Sequence, residues 1–169
     1  MALKGSMNLP TKFDYLDFFQ KKPVPNPIAL TLTLKQRVER NHSKGRFGES
    51  LDPLKASENT RHFMNRLNQS VFGKGFTRYG KRLSVVPVIE GNSFIRFHIH
   101  MTLEKPIHMD LDEFRNMIIK CWANTTFGYH DIEIKPIDNY LGWFDYKLKN
   151  RSKGEGLQSS VDWDNVFLH

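Results

Sequence analysis

Apolar and polar side chains alternate without a break from Ile95 to Leu103, and Phe94 precedes them. Neighbouring side chains of a β-strand point to opposite faces, so this segment predicts a strand with one apolar and one polar face. The apolar face comprises Ile95, Phe97, Ile99, Met101 and Leu103. The polar face begins at Phe94 and comprises Arg96, His98, His100 and Thr102. We therefore expect this His strand to bury its apolar face and to display two imidazoles on the other.

Other periodic segments predict a short series of strands and helices. Period-two patterns indicate strands at 28–35, 85–89 and 128–136, and Gly91-Asn92 is expected to turn the second of these into the His strand. Helical spacing, with Ser57 and Asp110 as N-caps of the first two helices, indicates helices at 58–72, 111–123 and 140–150. The polar segment 36–54 lacks such a pattern and is expected to be a long mobile loop.

The order of these elements favours an α+β fold. A strand, a helix, a hairpin, a helix and a strand are typical of a ferredoxin-like (RRM-like), mainly antiparallel sheet with helices packed on one face. The opposite face would then remain open. It is expected to display the polar side chains of two strands, namely Thr31, Thr33, Arg96, His98 and His100.

Composition and charge limit the classes of protein and partner. The 169 residues suffice for one domain, which we expect to span 11–150, after a leader at 1–10 and before an arm or linker at 151–169. The 25 lysines and arginines exceed the 18 acidic residues and give a net charge of +7, which favours a polyanionic partner. The single cysteine, Cys121, excludes a disulfide within the chain and suits a reducing compartment. No apolar run approaches the roughly 20 residues of a membrane span.

The two histidines of the His strand form a candidate metal site. Side chains two residues apart on a strand are attached about 7 Å from each other, so His98 and His100 can reach one ion. A second candidate group is Tyr146-Lys147-Leu148-Lys149, where Tyr146 projects away from the apolar stripe of the last helix. Hydroxyls at Thr31 and Thr33 lie on alternate positions of the first strand.

These three segments together resemble the HUH endonuclease superfamily, which includes rolling-circle replication initiators, relaxases and single-strand DNA transposases. Ala29-Leu30-Thr31-Leu32-Thr33 is similar to the first replication-initiator motif, and His98-Ile99-His100 is similar to the HUH motif. Tyr146-Lys147-Leu148-Lys149 is similar to the single-tyrosine Y-x-x-K motif. The order and spacing of the motifs fit the superfamily over 28–150.

The resemblance implies a metal-dependent, sequence-specific endonuclease and strand transferase that nicks single-stranded DNA for replication initiation or transposition. Tyr146 would attack the phosphate and form a 5′-phosphotyrosine, and Lys149 would stabilise the phenolate or phosphate charge. His98 and His100 would hold Mg²⁺ or Mn²⁺. Tyr140 is the alternative nucleophile, but superfamily members with two tyrosines place them one helical turn apart, whereas Tyr140 and Tyr146 are six residues apart.

A third metal ligand would come from one of two residues. The replication-initiator pattern has an acidic residue on the strand before the His strand, where this sequence offers Glu90. A tight turn at Gly91-Asn92 would leave Glu90 about 13 Å from His98, so only a wider loop or a bulge brings the two together. Asn150 is the alternative, because some transposases of the superfamily take a ligand from the tyrosine helix.

The expected nucleic-acid ligand is single-stranded DNA, with or without an adjacent DNA hairpin. Besides Thr31, Thr33 and Arg96, two groups of basic residues are expected to contact its phosphates. They are Arg37, Arg40 and Arg46 in the first group, and Lys74, Arg78, Lys81 and Arg82 in the second. No P-loop is present, so a helicase would act as a partner or as a fused domain. The resemblance implies an intracellular protein, cytoplasmic in a bacterial or phage setting and nuclear in a eukaryotic one or in a eukaryotic virus.

Two other functions fit parts of the sequence. The same topology occurs in RRM-like modules, which bind single-stranded nucleic acid by stacking bases on exposed sheet aromatics. Phe94 is the single aromatic residue on the expected open face of the His strand, and such a module would need neither Tyr146 nor Lys149. His100-Met101-Thr102 also matches half of the motif pair of 2H phosphoesterases, but no other histidine has Thr or Ser two residues later.

Overall fold

A four-stranded antiparallel sheet lies at the centre of the computed structural model, which describes residues 11–42, 45–92, 95–149 and 161–169. Its strands are β1 (Pro27–Leu34), β4 (Val85–Glu90), β5 (His98–Glu104) and β6 (Gly128–Pro136), and β2 (Arg37–His42) and β3 (Gly45–Ser50) form a separate hairpin. The helices are α1 (Lys12–Lys21), α2 (Pro53–Phe72), α3 (Lys74–Tyr79), α4 (Leu111–Ala123) and α5 (Tyr140–Lys149). The strand order β4-β5-β1-β6 is compatible with a ferredoxin-like fold, so the predicted α+β class is confirmed.

Helices α2 and α4 pack against one face of this sheet. The face is built from alternate residues of β1 and β5, which are fully buried at Leu30, Leu32, Ile99 and Met101. The two helices meet above it, where the rings of Phe63 and Trp122 lie edge to face. This main core is the apolar side of the His strand that the alternation predicted.

A second apolar cluster covers part of the opposite face. Val86 and Val88 reach it from β4, and Phe19 of α1 stacks on Phe144 of α5 with 4.4 Å between the ring centres. The opposite face is therefore open only beyond this cluster, whereas the sequence predicted that this face would remain open. Helix α1 escaped prediction because its aromatic residues lie on both its buried and its exposed sides.

The segment 36–54 is not the long loop that its polar composition predicted. It forms the β2–β3 hairpin and the start of α2. Val38 packs against the main core, and the Leu51 N–H donates to the Gln36 carbonyl oxygen at the base of the hairpin. Arg40 pairs with Glu49 across the two strands. A hairpin with so few apolar contacts leaves little hydrophobic pattern in the sequence, which explains the wrong prediction.

Helix α2 begins at Pro53 rather than at residue 58. Its N-cap is Asp52, whose carboxylate accepts a hydrogen bond from the Lys55 N–H, and Pro53 suits the first turn because its missing N–H is not needed there. Ser57, the predicted cap, is buried within the helix. Its hydroxyl donates to Asp162 Oδ1 over 2.8 Å.

Residues 161–169 pack along the outer edge of β4. Val85 and Phe167 exchange two backbone hydrogen bonds, and Val161 forms a bridge with Val88. The ring of Trp163 lies beside that of Tyr15 in α1, with 5.5 Å between the centres. The leader predicted at 1–10, Phe94, and residues 150–160 lie outside the described residues.

Candidate metal centre

The pairing of β4 with β5 brings three candidate ligands to one end of the sheet. Glu90 is the register partner of His98, and Val88 is the partner of His100. Strand β5 begins at His98 rather than at Phe94, so the connection from β4 is wider than a two-residue turn. The sequence predicts that Glu90 lies near His98 only if the connection is wider than a tight turn, and the structure has such a connection.

The connection is held tightly at both of its ends. Gly91 has φ +137°, and a Cβ atom there would lie 2.6 Å from the Cα atom of Phe97. Phe97 is clamped by the side chain of Gln36, which accepts from the Phe97 N–H at 2.8 Å and donates to the Phe97 carbonyl oxygen at 3.2 Å. The base of the β2–β3 hairpin therefore fixes the entry into the His strand.

Both histidines turn the same ring nitrogen towards one carboxylate oxygen. Glu90 Oε2 lies 2.8 Å from His98 Nε2 and 3.0 Å from His100 Nε2. One ligand atom from each of the three residues lies within 4.8 Å of the other two, and His100 is only 8% exposed. This three-residue cluster, Glu90, His98 and His100, could hold a metal ion.

The second nitrogen of each ring has a partner that orients the imidazole. His98 Nδ1 donates to the Arg96 carbonyl oxygen at 3.1 Å, so its proton lies on Nδ1 and the Nε2 lone pair is available to a metal when the ring is neutral. His100 Nδ1 lies 3.1 Å from Thr31 Oγ1. Contacts of this kind fix the ring orientation in metal sites of proteins.

The two imidazoles differ in their pKa values. The hydrogen bond to Glu90 raises the pKa of His98 above its ordinary value, which favours an imidazolium. Burial lowers the pKa of His100, and this effect outweighs the opposing effect of Glu90. A bound cation would replace the His98 Nε2 proton.

The donor set fits a divalent cation. Two imidazole nitrogens and one carboxylate oxygen form a mixed set that suits Mn²⁺ and other first-row ions, accommodates Mg²⁺, and would bind Zn²⁺ more tightly in vitro. A Glu90 carboxylate in contact with both Nε2 atoms is the arrangement that such an ion requires. The residues present therefore fit the cofactor that the sequence predicted.

Helix α5 places Tyr146 and Lys147 beside the cluster. Lys147 Nζ lies 3.3 Å from His100 Nε2 and 5.3 Å from the ring centre of Tyr146. Tyr146 is 58% exposed, so a large substrate can reach its hydroxyl. Phe144 and Leu148 anchor the helix in the second apolar cluster, whereas Leu141 on the same helix is exposed.

Lys147 is the site residue that sequence reasoning missed, because the Y-x-x-K pattern pointed to Lys149. A signal was present in the spacing of Trp143 and Lys147, which lie one helical turn apart and on one side of α5. The Lys147 ammonium lies 4.8 Å from the ring centre of Trp143, within cation–π distance. The side chain of Lys149, and Asn150 as the alternative metal ligand, lie outside the described part of the chain.

Tyr140, the alternative nucleophile, occupies a structural position. Its hydroxyl accepts a hydrogen bond from the Val24 N–H at 3.0 Å, and its ring packs edge to face on Phe144. Burial raises the pKa of the Tyr140 phenol, which makes its phenolate harder to form.

The residues predicted to contact DNA fall into two separate regions. Thr31, Thr33 and the exposed Arg96 lie near the metal cluster, and Arg37 and Arg40 extend from it on the β2–β3 hairpin; the side chain of Arg46 is outside the described residues. Lys74, Arg78, Lys81 and Arg82 precede the start of β4. Glu90 ends β4, so the start of that strand, which this second group precedes in sequence, lies about 17 Å from Glu90.

Comparisons with known proteins identify no relative of this chain: no family model, no curated protein and no solved structure matches it. None of the helices in the described ranges is long and apolar enough to cross a membrane.

Proposed function

We propose that this protein is a metal-dependent endonuclease and strand transferase that nicks single-stranded DNA through Tyr146. One observation carries the proposal: an exposed tyrosine stands beside a cluster of two histidines and one carboxylate, and Lys147 contacts both. Thr31, from the first motif of the resemblance, lies 3.1 Å from His100 of the second, and Lys147 of the tyrosine motif lies 3.3 Å from His100. The net charge of +7 suits a polyanionic substrate.

The chemistry proposed for this site is a transesterification. The Tyr146 oxygen attacks the scissile phosphorus in line, the bond from phosphorus to the 3′ oxygen breaks, and a 5′-phosphotyrosine and a free 3′-hydroxyl result. The phenol releases its proton to solvent and the departing 3′ oxygen gains one. The resealing step reverses these changes and needs no ATP, because the phosphotyrosine keeps the energy of the broken bond.

Each residue of the site has a role in this scheme. Glu90, His98 and His100 would hold a divalent cation, which neutralises negative charge on a non-bridging phosphate oxygen and orients the phosphate. Arg96 and Thr31 lie next to the histidines and are positioned to contact the DNA backbone beside the scissile phosphate. Phe144 and Leu148 pack α5 against the sheet, and Tyr146 lies on its exposed side, so the DNA backbone would pass between Tyr146 and the two histidines.

A single experiment tests the activity and the nucleophile together. The full chain is incubated with a pool of single-stranded DNA and Mn²⁺, and the products are searched by mass spectrometry for a nucleotide linked to tyrosine. We expect an adduct on Tyr146 that is absent from Tyr146→Phe, while DNA binding persists. Tyr140→Phe should keep the adduct and lose about 1 kcal/mol of stability, because the buried Val24 N–H loses its acceptor.

Three results would contradict the proposal. An adduct in Tyr146→Phe, or its loss in a folded Tyr140→Phe, would reverse the assignment of the nucleophile. Full activity in excess EDTA would exclude the metal mechanism. Binding of single strands without any adduct or metal dependence would instead favour a non-catalytic RRM-like binding module.

The form of the DNA offers a further test of the proposal. A duplex is too wide to bring its backbone between Tyr146 and the two histidines unless it is melted, so nicking should be faster and binding tighter on a single strand than on the matching blunt duplex. Both should weaken steeply with added salt. Equal or faster nicking of the duplex across salt concentrations would contradict the proposed path.

A further inference from the structure

The contact between Lys147 and His100 involves the atom that a metal would use. Lys147 Nζ lies 3.3 Å from His100 Nε2, and Glu90 Oε2 lies 3.0 Å from the same nitrogen. His100 Nδ1 faces Thr31 instead, on the other side of the ring. The ligand nitrogen of His100 is therefore already next to a cation that belongs to the chain.

A neutral imidazole has one lone pair on its unprotonated nitrogen. An ammonium has only donors, so when the proton of the neutral His100 ring lies on Nδ1, which faces Thr31, the contact with Lys147 uses the lone pair of Nε2. A metal ion bound through Nε2 needs the same lone pair. The Lys147 contact and metal binding at His100 thus exclude each other.

We propose that Lys147 is an internal cation that competes with the divalent metal for His100 and is displaced towards Tyr146 when the metal binds. The inference rests on the proposed metal centre but not on DNA cleavage. Electrostatic repulsion adds to the competition, because a divalent ion and an ammonium would lie within a few ångströms of each other in a half-buried site.

The direction of the displacement follows from the surroundings of the ammonium. The Lys147 side chain already lies beside the rings of Trp143 and Tyr146, with 4.8 Å and 5.3 Å to their centres. Both rings attract a cation through their faces, so they offer it a place once His100 is occupied. Metal binding therefore moves positive charge from the ligand cluster to the nucleophile, where a phosphate would arrive. Lys147 acts as a positioning residue that couples the two parts of the site.

The test measures metal affinity without DNA. Mn²⁺ is titrated by calorimetry into the full-length wild type, Lys147→Met, Lys147→Gln and Lys147→Arg, after circular dichroism has confirmed the fold of each. The matched control is Lys21→Met, which removes one exposed positive charge from α1, where Lys21 pairs with Asp17.

We expect Lys147→Met and Lys147→Gln to bind Mn²⁺ about 10-fold more tightly than the wild type, which corresponds to about 1.4 kcal/mol. Lys147→Arg should stay within about threefold of the wild type, because it keeps the charge, and Lys21→Met should match the wild type. A merely structural lysine would leave the affinity unchanged or lower it.

Unchanged or weaker binding by both neutral variants would overturn the proposal, as would the same gain in Lys21→Met. Failure of all proteins to bind Mn²⁺ would overturn it together with the metal centre. Tighter binding by the neutral variants, in a protein that forms no tyrosine adduct, would support the competition and reject only the nuclease function.

Discussion

Glu90 lies directly opposite His98 in the β4–β5 pair, with 2.8 Å between Glu90 Oε2 and His98 Nε2. The same oxygen also reaches His100, two residues further along β5. The position of the carboxylate is thus set by strand register rather than by a flexible loop. Precise placement by rigid strands favours metal binding because little conformational entropy is lost.

The first prediction concerns the three candidate ligands. Glu90→Gln, His98→Ala and His100→Ala should each weaken Mn²⁺ binding by at least about 10-fold in calorimetry, since each removes one donor or its charge. His100→Ala should also destabilise the fold by about 1–2 kcal/mol in urea, because His100 is buried and contacts Thr31. His130→Ala, an exposed histidine of β6, is the matched control and should bind as the wild type. Wild-type affinity in all three ligand variants would exclude this metal centre.

The second prediction tests the connection that carries Glu90 into register. Gly91→Ala places a Cβ atom 2.6 Å from the Phe97 backbone and at an unfavourable φ, so the connection must shift. We expect a loss of about 1–3 kcal/mol in the free energy of unfolding and a weaker affinity for Mn²⁺. Gly80→Ala has a similarly positive φ, +65°, but open space around it, and should lose stability without losing metal affinity. Equal metal affinity in the two variants would show that the connection does not position Glu90.

The third prediction concerns a buried carboxyl group away from the metal cluster. Burial raises the pKa of Asp162, in spite of hydrogen bonds from Ser57 and Asn165. Because the pKa of Asp162 in the folded protein lies above the ordinary value of 3.8, the folded state binds a proton more readily than the unfolded state. The contribution of Asp162 to stability is therefore fully present below that value and falls as pH rises through the raised pKa.

Urea denaturation of the wild type and of Asp162→Asn from pH 4 to pH 7 measures this effect. The stability of the wild type relative to the variant should fall as pH rises and then level off. A difference between the two proteins that stays constant, or that rises with pH, would contradict the expected shift.

The fourth prediction separates the two basic regions. Arg37→Ala, on the β2–β3 hairpin, should weaken single-strand binding and reduce the slope of log affinity against log salt by about 0.7 if one phosphate contact is lost. Arg78→Ala, on α3 before the start of β4, removes the same charge and should have a smaller effect on both quantities. Fluorescence anisotropy at several salt concentrations measures them. A larger loss for Arg78→Ala would place the DNA path on the opposite end of the molecule.

The faces of the His strand could be predicted because they depend only on alternation. Ile99 and Met101 are fully buried, and His98 and His100 lie on the other side. The sequence alone did not determine whether Glu90 would lie near the histidines. The register that brings them together depends on the conformation of the β4–β5 connection, which Gly91 and the contact between Gln36 and Phe97 hold in place. No local pattern records such a clamp between distant segments.

Other features escaped prediction because long-range packing decides them. Helix α1 and the β2–β3 hairpin have weak hydrophobic patterns and are held by a few contacts, such as Phe19 on Phe144 and Val38 on the main core. The position of the Lys147 ammonium depends on how α5 is seated by Phe144 and Leu148. A helix rotated slightly about its axis would present a different lysine to His100.

The second apolar cluster joins segments from the two ends of the described chain. The Val24 N–H donates a hydrogen bond to the Tyr140 hydroxyl, 116 residues away in sequence. The Ser57 hydroxyl donates one to Asp162, 105 residues away. Such distant contacts form late, because a long chain segment must be ordered before they add stability. During synthesis we therefore expect the main core to assemble first, and α5 to take its seat only after Val161 has left the ribosome. Tyr146 and Lys147 would therefore reach the metal cluster as a late step of folding, after the sheet that holds Glu90 is complete.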